Sequence, residues 1–425
     1  MYNKYTLDNG IRVVTEEIPY VNSISIGVWV KSGSRYENKK NNGVSHFIEH
    51  MLFKGTKKRS ARQIAEEIED LGGQINAFTG KEATCFYVKL LDEHFNVGID
   101  VLSDMILNSK FNEEDIEKEK SVILEEINMY EDSPEDLVID LLSEATWGDD
   151  SLSFPILGVK DTIASLKRED IIDYFYKHYV TQNMVIAVAG NFNEKALFKV
   201  LNDKFGQWEG DKSSEQNLST PEINKNILVK NKDIEQIHVA LTLDGIELGS
   251  DKLYPLLAIN NYFGGGTSSK LFQTFREEKG YVYTIYSFPS PYKNKGSFNV
   301  YFALNDQYMD EALNLFYIEI KKILEYKMNS REIMKAKEQL KGNYILGLES
   351  VSSRMFSLGK SEIMLNKVYE PKDILDKIDN ISDDDVNNLI DNIFKKGVLT
   401  VSAVGKNINE KKLGCILGGS NENFH

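Results

Sequence analysis

Two histidines and a glutamate fall within five residues in the run Gly43-Val44-Ser45-His46-Phe47-Ile48-Glu49-His50. On a helix His46 and His50 stand at i and i+4, so both rings project from one face about a turn apart. Glu49 directly precedes the second ring. Two imidazole donors and a general base are what a hydrolytic zinc site needs, here in the order H-x-x-E-H and not H-E-x-x-H. The chain has six histidines in all, so chance seldom produces this spacing. A tetrahedral catalytic zinc takes three protein ligands and keeps one position for water, so a third ligand must come from elsewhere. The segment from Glu113 to Tyr130 offers candidates. Glu119 and Glu126 are seven apart and share one helix face, whereas Glu125 points away. Glu126 could ligate the metal and Glu119 could brace an imidazole from behind. Equally, Glu113, Glu114, Glu117, Glu119, Glu125 and Glu126 could form a solvated acidic face, and spacing alone leaves both readings open.

The elements that must carry these residues are legible in order. Tyr5-Thr6-Leu7, the turn Asp8-Asn9-Gly10 and Ile11-Arg12-Val13-Val14 read as strand, turn, strand. Ile24 to Val30 alternates and reads as a further strand, followed by the helix bearing His46. Ala61 to Leu71 reads as an amphipathic helix ended by Gly72-Gly73. Gln74 to Thr79 and Ala83 to Leu91 read as a strand pair. Helices are expected over Phe95–Ile106, Glu113–Tyr130, Pro134–Thr146 and Arg168–His178, and Met184 to Gly190 as a buried strand. The polar stretch Glu209 to Asn217 marks a linker. Beyond it the pattern returns at an offset of roughly 214 residues. Ser25 to Val28 corresponds to Val239 to Thr242, the run Phe86 to Asp92 to Val300 to Asn305, and Val185 to Gly190 to Thr400 to Gly405. The expectation is an α+β chain of two homologous domains, each a mainly antiparallel sheet packed with helices. Residues 1–208 form the zinc-binding domain, 209–233 the linker and 234–425 a second domain without the metal motif.

Composition narrows the function. An apolar content of 41% over 425 residues is enough for real cores. Lys+Arg 50 against Asp+Glu 65 gives a net charge of −15, which argues against nucleic acid and anionic lipid and favours cationic peptides. Cys85 and Cys415 lie far apart in unlike contexts, so neither a disulfide nor a cysteine zinc knuckle is expected. The first residues lack the pattern of a signal peptide, and no apolar run is long enough to span a bilayer, so a cytoplasmic setting without membrane insertion is expected.

The run from Gly43 to Thr56, continuing through Met51-Leu52-Phe53-Lys54-Gly55, resembles the metal-binding segment of the pitrilysin-type (M16, inverzincin) zinc metallopeptidases. That family includes insulin-degrading enzyme and the mitochondrial processing peptidase. Length and layout are similar to its short, processing-peptidase-like bacterial branch, and the resemblance extends over essentially the whole chain. It implies that Glu126, in Val122-Ile123-Leu124-Glu125-Glu126, is the third ligand to one Zn²⁺ per chain, and that Glu119 supports the site. Glu49 is then the base that takes a proton from the metal-bound water. The strand Gln74 to Thr79 looks like the family's edge strand, where substrate adds as a β-strand at Asn76 and Ala77. Phe53 counts among the substrate-binding positions. In Phe275-Arg276-Glu277-Glu278-Lys279-Gly280-Tyr281-Val282-Tyr283, the resemblance gives Arg276 a substrate carbonyl to hold and Tyr283 an oxyanion to stabilise. Asp136 and Asp140 match acidic positions that read an arginine near the cleavage site, although two exposed helix acids would look the same. Gly264 to Ser269 lacks the Gly-Lys-Ser/Thr of a P-loop and resembles the family's glycine-rich loop.

The implied function is a zinc endopeptidase cleaving short or unfolded peptides in the chamber of a clam-like homodimer. Two alternatives stand beside it: a non-catalytic peptide-binding or structural subunit of the same fold, and an obligate heterodimer. The intact set His46, Glu49, His50 and Glu126 speaks against the first. His/His/Glu ligands suit zinc and tolerate cobalt or manganese. His94, His178, His238 and His425 have no ligand-spaced partners and are expected at the surface or at caps.

Overall fold

In the computed structural model, which describes residues 2–208 and 218–417, the alternating apolar runs pair into two sheets. Glu209 to Asn217 of the expected linker, and His425, lie outside the described residues. The first sheet is built from β1 (Tyr2–Thr6), β2 (Arg12–Glu17), β3 (Ser23–Val30), β4 (Gln74–Thr79), β5 (Thr84–Leu91) and β6 (Met184–Gly190). Their order across the sheet is β1-β2-β6-β3-β5-β4. The second sheet uses β7 (Asn226–Asn231), β8 (Ile237–Asp244), β9 (Val282–Tyr292), β10 (Lys295–Leu304) and β11 (Thr400–Gly405), in the order β7-β11-β8-β10-β9.

The duplication is written in this topology. Strands β2-β6-β3-β5-β4 and β7-β11-β8-β10-β9 follow one plan, each with a single parallel pair, β2 with β6 and β7 with β11. β3 begins at Ser23 and β8 at Ile237, an offset of 214 residues. The helix that follows β8, Leu253–Phe263, has the sequence LYPLLAINNYF, with neither histidine nor acid.

Burial follows strand position. β6, MVIAVAG, is central and buried throughout, as its unbroken apolar run requires. β4 is the sheet's edge and, among the described residues, pairs only with β5. Its residues alternate exposed and half-buried, leaving an outer row of backbone donors and acceptors. Five helices span most of the chain between β3 and Trp147: α1 (Val44–Leu52), α2 (Ala61–Glu69), α3 (Phe95–Asn108), α4 (Glu113–Asp132) and α5 (Pro134–Trp147). Phe47, Ile48 and Met51 of α1, Ile99, Leu102 and Met105 of α3, and Ile116, Ile123 and Ile127 of α4 share one core with Ile24, Ile26 and Val28 of β3.

Two compact units emerge. The first comprises Met1–Asn128, Phe154–Asn217 and Ile345–Glu370; the second comprises Met129–Ser153, Leu218–Tyr344 and Pro371–His425. They differ from a linear division at 208 and 234 by an exchanged segment each. The helix Val351–Leu365 belongs to the first unit, where Met355 and Leu358 pack with Val14, Trp29, Cys85 and Val185 on the face of the first sheet opposite α1. α5 belongs to the second unit, where Leu137, Val138 and Leu142 pack with Ala240, Tyr301 and Val404. The Val351–Leu365 helix is also held by charge: the fully buried Glu362 carboxylate accepts from Arg12 at 2.8 Å and pairs with Lys4 at 2.7 Å. No helix among the described residues is long and apolar enough to cross a membrane.

Gly359 of that helix lies directly under the Trp29 indole, where an added Cβ would overlap the ring. Gly359→Ala should therefore destabilise the protein by about 1–3 kcal/mol through overpacking. Urea unfolding of the two proteins measures it, and an unchanged midpoint would show that the indole has room to move.

Candidate metal centre and active site

α1 is a helix because its apolar face, Val44, Phe47, Ile48, Met51 and Leu52, is fully buried. It starts at Gly43, which has φ 96° and no side chain to cap the first turn. A Cβ there would also strike the backbone at Leu157 and Gly158. Capping comes instead from Glu37. Its Oε2 accepts the Gly43 amide at 2.7 Å and its Oε1 accepts the Ser45 amide at 2.8 Å. With its core face committed, α1 presents His46, Glu49 and His50 on the remaining side.

α4 supplies the opposing acids. Ile116, Ile123 and Ile127 fix its buried stripe, which places Glu119 inward, only 3% exposed, and Glu126 half-buried beside it. Glu113, Glu114, Glu117 and Glu125 face solvent. Glu126 Oε2 lies 3.7 Å from His46 Nε2 and 3.6 Å from His50 Nε2. Among the described residues these three are the one group of His, Cys, Asp or Glu side chains close enough to share an ion. A tetrahedral zinc with bonds of about 2.0–2.1 Å holds its ligand atoms roughly 3.3 Å apart. Both carboxylate–imidazole distances are thus within a few tenths of an ångström of that spacing, all three ligand atoms lie within 4.8 Å of one another, and the donor set fits zinc.

Proton placement agrees with that fit. A ligating imidazole must be neutral. Burial, reinforced by the neighbouring His50, depresses His46 to about 3. His50 Nδ1 sits 2.7 Å from Glu119 Oε1, and the other Glu119 oxygen pairs with Lys54. Burial alone would raise Glu119, but the hydrogen bonds from His50 and Lys54 outweigh it and hold the carboxyl below its ordinary range. An ionised Glu119 draws the His50 proton to Nδ1 and leaves Nε2 with a free lone pair toward Glu126. Burial raises Glu126, opposed by His50. His46 Nδ1, in contrast, is buried with no hydrogen-bond partner among the described residues.

Glu49 stands beside the trio and outside it. Thr79 Oγ1, at the end of β4, donates to Glu49 Oε2, and Thr84 Oγ1 in turn donates to Thr79 at 3.3 Å. Burial raises the Glu49 carboxyl; the Thr79 hydrogen bond and His50 pull it down, and Glu126 pushes it up.

The remaining candidates are placed as follows. Asn76 is exposed on β4, and its Oδ1 accepts the Ala77 amide at 2.8 Å. Phe53 is half-buried against the core, 6.5 Å from the Phe86 ring. Arg276 and Tyr283 lie in the second unit, where the guanidinium sits 4.8 Å over the Tyr283 ring and 4.9 Å over that of Phe272. Arg276 belongs to a π-helical turn, Phe272–Glu278, and Tyr283 is 72% exposed. Asp136 is exposed and Asp140 half-buried on α5, also in the second unit. Two histidines depart from a surface or cap position. His178 is buried and stacked 4.1 Å from Tyr174, and His238 is half-buried with Nδ1 2.8 Å from the Tyr301 hydroxyl. Thr79, Lys54 and Glu37 are the site residues that spacing did not single out. For Lys54 a signal existed, since it lies four residues past His50; Thr79 and Glu37 act across turns that sequence periodicity does not describe.

Burial of neutral imidazoles makes the metal-free protein acid-sensitive. His46 is depressed to about 3 and His178 to about 4, both chiefly by burial. In the unfolded chain both titrate near 6.5. Below that pH the unfolded state binds protons that the folded state refuses, so stability is complete above about pH 6.5 and falls as pH drops toward 4. His178→Phe, which keeps a ring beside Tyr174, should flatten this fall. Urea midpoints at pH 7 and pH 5 in chelator measure it, and equal slopes in both proteins would reject the assignment.

Known proteins place the chain. Residues 12–160 match the family model for insulinase (peptidase family M16), and residues 165–340 match the model for the peptidase M16 inactive domain. The chain is 41% identical to a Bacillus subtilis protein named uncharacterized zinc protease YmxG, over 93% of this chain and 96% of that one. It is 36% identical to an uncharacterized zinc protease of Rickettsia felis, over 96% and 98%. Its fold superposes on a protease from Helicobacter pylori with a TM-score of 0.87 at 21% identity, covering 96% of this chain and 99% of that one. A peptidase M16 inactive-domain structure from Pseudomonas fluorescens superposes with a TM-score of 0.88 at 16% identity, over 96% and 98%. With zinc proteases this similar along nearly their whole length, and both family models met in order, the chain belongs to the M16 peptidase family.

Proposed function

We propose that this protein is a zinc-dependent endopeptidase acting on short or unfolded peptides. The observation that carries the reading is the convergence of His46, His50 and Glu126 with Glu49 beside them but not among them. His46, His50 and Glu126 would hold the zinc, which when bound would supply a Lewis acid for the scissile carbonyl and lower the pKa of water toward about 7. Glu49 is placed to take a proton from the attacking water and to return it to the leaving amine. The Thr79 hydroxyl keeps its carboxylate oriented. Glu119, with Lys54, fixes the tautomer of His50.

The substrate is held by its backbone. β4 offers an open edge to an extended peptide, with Asn76 and Ala77 as main-chain partners and Phe53 nearby in sequence to the metal helix. The family resemblance assigns Arg276 to a substrate carbonyl and Tyr283 to the oxyanion; their stacking gives each a fixed neighbour. Asp136 and Asp140 favour basic side chains, in keeping with the net charge of −15. Because one chain carries both the metal motif and the Arg-Tyr pair, a cytoplasmic homodimer around a chamber is the economical assembly.

Glu49→Gln should retain stoichiometric zinc and lose cleavage of a quenched peptide by about 10²–10⁴-fold. Metal analysis and the peptide assay together test this. Zinc-loaded wild type that cleaves nothing in a peptide library would favour the non-catalytic subunit.

A further inference from the structure

We infer that Glu37 is a positioning residue for the metal helix: from the segment between β3 and α1 it sets the direction in which His46 and His50 present their Nε2 atoms. The inference rests on the metal-site reading proposed above.

Glu37 is buried, and both of its carboxylate oxygens are committed to the start of α1. Oε2 accepts the Gly43 amide at 2.7 Å and the Asn42 side-chain amide at 2.9 Å, and Oε1 accepts the Ser45 amide at 2.8 Å. Helices leave their first N–H groups without internal partners, and the positive end of the helix dipole favours an acid there. Ser, Thr, Asp or Asn at the cap position would satisfy such groups at less desolvation cost. Gly43 occupies that position with a backbone conformation that other residues avoid. The cap has therefore moved to a residue outside the helix, which ties α1 to a fixed point. α1 is nine residues long, and Ser45, whose amide is held, directly precedes His46. Small changes at this anchor reach both rings within two turns.

The support behind Glu37 is itself fixed. Arg35, two residues earlier, is buried and pairs with Glu82 at 2.5 Å, and its amide donates to the Lys81 carbonyl at 2.8 Å. Lys81 and Glu82 lie in the turn from β4 to β5. Gly33 passes so close to Gly80 and Lys81 that a Cβ would overlap their backbone. That turn begins immediately after Thr79, the residue that holds Glu49. The segment from Gly33 to Glu37 thus references the metal helix and the base-orienting hydroxyl to one support.

The test uses the full chain loaded with Co²⁺, whose visible spectrum reports ligand geometry. Glu37→Gln keeps the side chain's size and one acceptor oxygen but turns an amide nitrogen toward a donor. The variant should fold cooperatively, bind Co²⁺ at least tenfold more weakly by chelator competition, and show an altered spectrum at saturation. Glu37→Asp, charged but shorter, should fall between it and wild type. A purely structural acid would lower the melting temperature of the metal-free variant while leaving affinity within twofold and the spectrum unchanged, and that result overturns the inference. If Glu37→Gln does not fold, Glu37→Asp is judged by the same two readouts. Wild type that takes up no Co²⁺ refutes the metal site itself, an outcome distinct from a variant that binds as wild type does.

Discussion

Two helices, α1 and α4, bring the ligand atoms of His46, His50 and Glu126 within 4.8 Å of one another, and the core of the first unit holds those helices in place. That convergence is costly by itself: an imidazole pressed against its neighbour and a half-buried carboxylate facing both. Desolvation keeps His46 neutral, and a hydrogen bond from behind sets the proton of His50. The two rings solve one problem by different means. His50 is braced by an ionised Glu119, whereas His46 is oriented by close packing at 7% exposure, with no polar partner at Nδ1 among the described residues. The rigidity of α1 therefore bears more directly on His46 than on His50.

Much of this arrangement was legible in the sequence, and the reason is local. The H-x-x-E-H spacing places two rings on one helical face whatever surrounds them, and β4, β5 and β6 declare themselves by period and by apolar runs. The duplication was visible as a repeated offset, and the shared strand order gives it physical form. Glu119 and Glu126 were partly legible. A seven-residue spacing says that they share a face but not what that face meets; the buried stripe Ile116, Ile123, Ile127 turns it toward His46 and His50.

What was not legible depends on contacts between distant or irregular segments. Thr79 reaches Glu49 across 30 residues, and Arg12 meets Glu362 across 350. Glu37 caps a helix from outside it, so no capping motif marks it. His178 falls in the last turn of its helix, where a histidine normally faces solvent, yet it lies under Tyr174 because the helix is enclosed at that end. In each case the deciding term is tertiary packing, on which periodicity is silent.

The exchanged helix has a consequence for how the chain is made. Trp29, Val14 and Val185 sit on a sheet face whose cover, Val351–Leu365, is translated long after them. As the polypeptide leaves the ribosome, the amino-terminal sheet can assemble the layer that carries α1 early but must keep the opposite layer bare until Leu365 emerges. Synthesis order thus opens an interval in which an apolar surface awaits its own downstream sequence, and in which chaperone capture competes with completion of the fold.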